Sequence, residues 1–105
     1  DDMLIIRGVN VYPSQIEAVL LGCPGLAPHY QLVVERAGHL DELTIEIEAA
    51  TGVAADAFAA LAGDVRQHVK SLVGISTTVR VLPPGDVPRS QGKAARVRDL
   101  RPKGA

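Results

Sequence analysis

The sequence predicts an α+β fold: two main helices packed on one face of a small mixed or antiparallel sheet, opened by a short two-stranded hairpin, in the order ββαββαβ. Three observations carry this. Leu43, Ile45 and Ile47 alternate strictly with Thr44, Glu46 and Glu48, the period of a half-buried antiparallel strand. Phe58, Leu61, Val65, Val69 and Leu72 recur at spacings of three and four, the stripe of an amphipathic helix. Glycine and proline punctuate the chain between such segments, at Gly8, Pro13, Gly22, Pro24 and Gly74.

Taken in order, MLIIRGVNVYP reads as two short strands about Gly8, which can adopt the positive φ of a tight turn. SQIEAVLLG reads as a helix with an S-x-x-E capping box at Ser14 and Glu17, an apolar stripe of Ile16, Val19 and Leu20, and a stop at Gly22 and Pro24. Residues 30–36 form a strand that pairs with 43–49 as a hairpin across the connector AGHLDE. Asp56 is placed to cap the second helix, which runs to Val73 and ends at Gly74. STTVRVLP is the last clear strand, followed by a basic tail.

The 105 residues make one domain. With 47% hydrophobic and 22% charged residues the composition is globular. Phe58, Tyr12 and Tyr30 are its aromatics, so the core is aliphatic and base-stacking platforms are excluded. A formal net charge of −1 argues against a general nucleic-acid binder. The charge is nevertheless polarised: Arg89, Lys93, Arg96, Arg98, Arg101 and Lys103 follow Pro88. No apolar run approaches the roughly 18 residues that span a membrane. No signal peptide is visible, so a cytoplasmic location is expected. The chain opens as DDMLIIRG, inside a motif and without Met, as an excised piece of something longer would.

Cys23 stands alone, which rules out an internal disulfide, and with no basic neighbour in sequence it reads as a packing residue. His29, His39 and His68 are scattered and lack Cys or carboxylate partners at ligand spacing, so no metal site is expected. Glu46 and Glu48 share one strand face and read as solvated carboxylates, because catalytic pairs face one another across a cleft. Ser90-Gln91-Gly92-Lys93 is not a phosphate-binding P-loop, since G-x-x-x-x-G-K-[ST] is absent. A lysine behind a glycine can reach an anion as a compact point charge; a solvated tail lysine is the alternative.

Three segments resemble one family. DDMLIIRGVNVYPSQIEAVL resembles the hinge-and-loop motif that opens the C-terminal domain of adenylate-forming enzymes, most closely the phenylacetate–coenzyme A ligase branch, where the second strand runs into P-S-Q-I-E. PHYQLVVERAGHLDELTIEIE is similar to the same branch, and VPRSQGKAARVRDLR resembles its C-terminal lysine motif. The resemblance implies a mobile lid that follows a large N-terminal domain. ATP, with Mg2+, and an aryl acid first give an acyl-adenylate, and coenzyme A then displaces AMP. It implies that Lys93 is the adenylation lysine, carried on a loop shaped by Ser90 and Gly92. Asp1 takes the position of the hinge aspartate, and Arg7, Gly8 and Val9 that of the loop entering for the thioester step. Arg96, Arg98 and Arg101 are expected to be solvated or interdomain charges. The isolated domain is expected to be inactive, with at most a weak homodimer through the surface its N-terminal partner would cover. A ligase of the coenzyme F390 synthetase type is the alternative within the superfamily. A free-standing α+β module that binds an effector or pairs with itself is the alternative outside it.

Overall fold

The computed structural model describes residues 2–89 and 96–102. Its elements run β1 (Leu4–Ile6), β2 (Val9–Val11), α1 (Pro13–Leu21), β3 (Leu26–Ala37), β4 (Leu40–Ala49), α2 (Phe58–Val73), β5 (Thr78–Leu82) and β6 (Val97–Asp99). A 3-10 turn at Ala55–Ala57 leads into α2. β1 and β2 pair antiparallel as a separate hairpin, and the main sheet has the order β5-β4-β3-β6. β3 and β4 are antiparallel, whereas β5 and β6 lie parallel to their neighbours. The expected α+β class and mixed sheet are therefore present, with one strand more than the sequence order contained.

That strand is β6, in the tail expected to be merely basic. Val97, Arg98 and Asp99 stand opposite Leu32, Val33 and Val34, and the Leu100 N–H donates to the Val34 carbonyl at 2.8 Å. Three residues carrying two charges have no strand period of their own. They are extended because β3 otherwise presents an edge of unpaired backbone groups.

One aliphatic core joins all layers. The alternating residues Leu43, Ile45 and Ile47 of β4 and Leu32 and Val34 of β3 meet Ile16 and Leu20 of α1, Val65 and Val69 of α2, and Ile6 and Val11 of the hairpin. The α2 stripe is rotated from the expected one. Ala62, Val65 and Val69 are its buried residues, Val73 packs against them, and Leu72 is 60% exposed. Gly74 ends the helix in the left-handed conformation at φ 85°, its N–H bonded to the Lys70 carbonyl, as the sequence indicated.

Two caps differ from expectation. Pro13 occupies the first position of α1, where its missing N–H costs nothing, so Tyr12 precedes the helix and Ser14 lies inside it. The Gln15 side chain, not Glu17, accepts the Tyr12 N–H, at 3.4 Å. Asp56 sits within the 3-10 turn, and α2 begins without a side-chain cap. The β3–β4 connection is shorter than the AGHLDE connector: Ala37 pairs with Leu40 across Gly38 and His39, and Gly38 at φ 63° supplies the turn.

The outer face of the main sheet is not a solvated acidic surface. Glu48 is 1% exposed, because residues 83–89 fold back across it. Gly85 and Val87 donate their N–H groups to its carboxylate at 2.8 and 2.9 Å, and Arg89 forms an ion pair with it. Glu46 accepts from Gln31 at 2.8 Å and pairs with Arg80.

Candidate functional site

The β1–β2 hairpin closes at Ile6 and Val9, leaving Arg7 and Gly8 as a two-residue turn. Both have positive φ, 49° and 76°, the signature of a type I′ turn, whose twist matches that of the strands it joins. Glycine is at ease there; arginine is not, and holding it requires compensating contacts. They come from its own guanidinium, which donates to the Asp41 carbonyl at the start of β4 and to the Ser76 carbonyl between α2 and β5. The Arg7 side chain thus ties the turn to the domain body, and the Gly8 backbone projects into open space. Among the described residues, a Cβ built on Gly8 would meet no atom within 4 Å beyond those of its chain neighbours.

Beside the turn lies a cleft of about 530 Å³, lined among others by Arg7, Val9, Leu40, Glu42, Lys70 and Thr77. The Thr77 hydroxyl oxygen is buried without a hydrogen-bond partner among the described residues.

The segment bearing the sequence-predicted lysine is bracketed by two ion pairs. On its N-terminal side Arg89 is held by Glu48. That guanidinium, with the Gly85 and Val87 N–H groups behind it, pulls the Glu48 carboxyl down to about 2 against the opposing effect of burial. On its C-terminal side Arg96 donates to Glu17 at 3.0 Å and lies 5.1 Å from the centre of the Tyr30 ring. The Tyr30 hydroxyl donates to the same carboxylate at 2.6 Å, and burial followed by that bond pushes its pKa up. Ser90, Gly92 and Lys93 themselves, and Asp1, lie outside the described residues.

Arg101 is also internally engaged rather than solvated. It pairs with Asp99 through Nη2 at 2.7 Å and with Asp41 through Nη1 at 2.8 Å, and Nη1 also donates to the Ile5 carbonyl at 2.7 Å. Sequence reasoning missed Glu48, Asp41 and this role of Arg101. Only the spacing D-x-R at Asp99 and Arg101, which lets a carboxylate meet a guanidinium two residues on, hinted at it.

Cys23 is half-buried beside a cavity of about 300 Å³ that Asp64 and His68 also line. Burial and then the Asp64 charge push its thiol pKa up, which suppresses the thiolate and fits the packing role. His68 is exposed and its Nδ1 lies 2.7 Å from the Asp64 carbonyl. Among the described residues no group of three or more His, Cys, Asp or Glu side chains could hold a metal ion, and no helix is long and apolar enough to cross a membrane.

Comparison with known proteins agrees with this geometry. Residues 8–101 match the family of the AMP-binding enzyme C-terminal domain. The chain is 48% identical over 104 residues to the phenylacetate-coenzyme A ligase of Escherichia coli K12, covering 96% of this chain and 24% of that enzyme. It is 47% identical to the phenylacetate-coenzyme A ligase of Thermus thermophilus, with 96% and 26% covered. The chain thus spans about a quarter of the length of these curated relatives. Among solved structures, a domain of phenylacetate-coenzyme A ligase from Bacteroides vulgatus superposes with a TM-score of 0.89 at 34% identity, covering 99% of this chain and 97% of that one. 2-Hydroxyisobutyryl-CoA ligase, in its thioesterification state with 2-HIB-AMP and CoA, superposes with a TM-score of 0.87 at 33% identity, covering 96% and 22%. From the turn, the topology and these matches together, the chain belongs to the family of C-terminal domains of AMP-binding enzymes.

Proposed function

We propose that this chain is the mobile C-terminal lid of an ATP-dependent, AMP-forming acid–coenzyme A ligase of the phenylacetate type, serving both half-reactions with different groups. In the first, Lys93 neutralises the acid carboxylate and the α-phosphate as they approach and as charge develops, with Ser90 and Gly92 shaping its loop. Asp1 absorbs the rotation between the steps. In the second, the Arg7-Gly8-Val9 turn enters the site, and Gly8 lets backbone lie against the pantetheine arm. A large N-terminal domain holds ATP, Mg2+ and the acid.

The observation that carries the reading is the turn itself. Its tip is held through Arg7, yet among the described residues nothing beyond its chain neighbours comes within 4 Å of where a Gly8 Cβ would lie. The Arg7 guanidinium is turned towards the Asp41 and Ser76 carbonyls, and Arg7 serves the second substrate through the backbone of the turn. Around the turn Ile5, Leu40 and Leu100 remain 55%, 61% and 51% exposed, a surface suited to meeting a larger domain.

The test is Gly8→Ala in the full-length ligase. The added methyl clashes with nothing among the described residues. At φ 76° it costs about 1 kcal/mol of stability. Thioester formation from supplied acyl-adenylate and coenzyme A is nevertheless expected to fall by about 10- to 100-fold, as for a misplaced reacting group. An unchanged thioester rate would refute the assignment of the turn. The 105-residue chain alone is expected to form no acid-dependent AMP from ATP, and AMP formation by it would show that the chemistry does not need the second domain.

A further inference from the structure

Ile5 and Arg7 flank the start of the turn, and both are held through Asp41. Arg7 donates to the Asp41 main-chain carbonyl. Arg101 donates to the Ile5 carbonyl at 2.7 Å and, from the same nitrogen, to the Asp41 carboxylate at 2.8 Å. Alternate carbonyls of an antiparallel strand face away from its partner, so an isolated two-stranded hairpin needs donors from elsewhere. Arg101 provides one. It is itself fixed by Asp99, which accepts from its Nε at 2.9 Å and its Nη2 at 2.7 Å. Arg36 holds the other Asp41 oxygen at 2.7 Å. The Arg101 and Asp41 side chains are only 16% and 13% exposed, so this is not a solvated surface pair.

Ile5, Arg101, Asp41 and Arg7 therefore form a closed circuit around the turn. Apart from the short β1 backbone link, it consists of charge-assisted hydrogen bonds, which are short and directional. A lysine is a single compact point of charge, whereas the three nitrogens of the planar guanidinium are spread so that they reach Ile5 and Asp41 on one side and Asp99 on the other. Without the circuit the Arg7 φ of 49° has less to hold it, and the turn spends less time in the shape seen here.

We infer that Arg101 and Asp41 are positioning residues for the thioester step, acting through the Arg7–Gly8 turn and not on the substrates. This rests on the assignment of the turn to that step. It also gives the C-terminal strand β6 a functional task, since β6 carries Asp99 and leads directly into Arg101.

The experiment uses the full-length ligase with phenylacetate as the probe acid and the variants Arg101→Gln, Arg101→Lys, Asp41→Asn and Gly8→Ala. Pyrophosphate release reports adenylation; supplied phenylacetyl-adenylate with coenzyme A reports thioester formation. Arg101→Gln is expected to lower kcat of the thioester step by about 10-fold or more, with KM for coenzyme A and the adenylation rate within about 2-fold of wild type. Arg101→Lys should recover part of the loss, and Asp41→Asn, which changes no volume, should reproduce it in milder form. If Gly8→Ala slows the thioester step while Arg101→Gln and Asp41→Asn do not, the inference is wrong and the assignment of the turn stands. If Gly8→Ala leaves that step intact, or the wild type fails to carry out both half-reactions, the assignment and the inference fall together. Equal losses in both half-reactions for Asp41→Asn and Arg101→Lys would reduce the circuit to general stability and overturn the positioning role.

Discussion

Replacing Lys93 by alanine in the full-length ligase is expected to slow acyl-adenylate formation by about 10²- to 10³-fold, the scale on which removal of one preorganised electrostatic group acts. In the proposed role the ammonium would meet two anions that repel one another, a carboxylate and a phosphate, whose charge persists into the transition state. A neutral side chain leaves that repulsion in place. Thioester formation from supplied adenylate should survive, since on the proposed function that step uses the Arg7–Gly8 turn instead. Lys93→Arg is not a conservative control. Its planar fork is longer and places charge differently, so partial recovery at most is expected.

The second large effect concerns stability. Glu48→Ala leaves the Gly85 and Val87 N–H groups without their acceptor and the Arg89 guanidinium without its counter-charge, at a position where water barely reaches. A loss of about 3 kcal/mol is expected, equivalent to a fall in Tm on the order of 15 °C for a domain of this size. Glu48→Gln, which keeps one acceptor oxygen, should lose roughly half as much. The acid dependence has a defined sign. The folded carboxyl titrates at about 2, below its ordinary value of 4.5, chiefly because Arg89 stabilises the charged form. Its stabilising contribution is therefore complete above about pH 4.5 and is lost as pH falls towards 2. Thermal unfolding followed between those limits should show a steeper loss in wild type than in Glu48→Gln. Identical acid profiles would mean that Glu48 does not anchor residues 83–89.

The periodic parts of this fold were legible in the sequence because their information is local. Leu43, Ile45 and Ile47 alternate, Val65 and Val69 repeat at helical spacing, and Gly74 stops the helix. Each reading needs only neighbours along the chain. Where the sequence misled, a non-local contact or a competing local rule prevailed. Ser14 and Glu17 have capping-box spacing, but Pro13 fits the first helical position, so Ser14 lies inside the helix, and Glu17 also meets Tyr30 and Arg96, the latter 79 residues away in sequence. Glu48 alternates as a solvent-facing residue should, and is buried only because the PPGDVP segment returns over it. β6 exists through pairing with β3 and has no pattern of its own. The turn itself was visible as Gly8, whereas the circuit that holds it joins Ile5, Asp41 and Arg101 from three distant parts of the chain and left no periodic trace.

The central claim is that one small domain serves two steps with two separate groups. The most direct measurement is the rate of each half-reaction in the same full-length ligase carrying either Lys93→Ala or Gly8→Ala. The expected result is a crossed pattern: Lys93→Ala loses adenylation and keeps thioester formation, and Gly8→Ala loses thioester formation and keeps adenylation. Retention of both steps in Lys93→Ala, or parallel losses in the two variants, would contradict the account of this domain as an alternating lid.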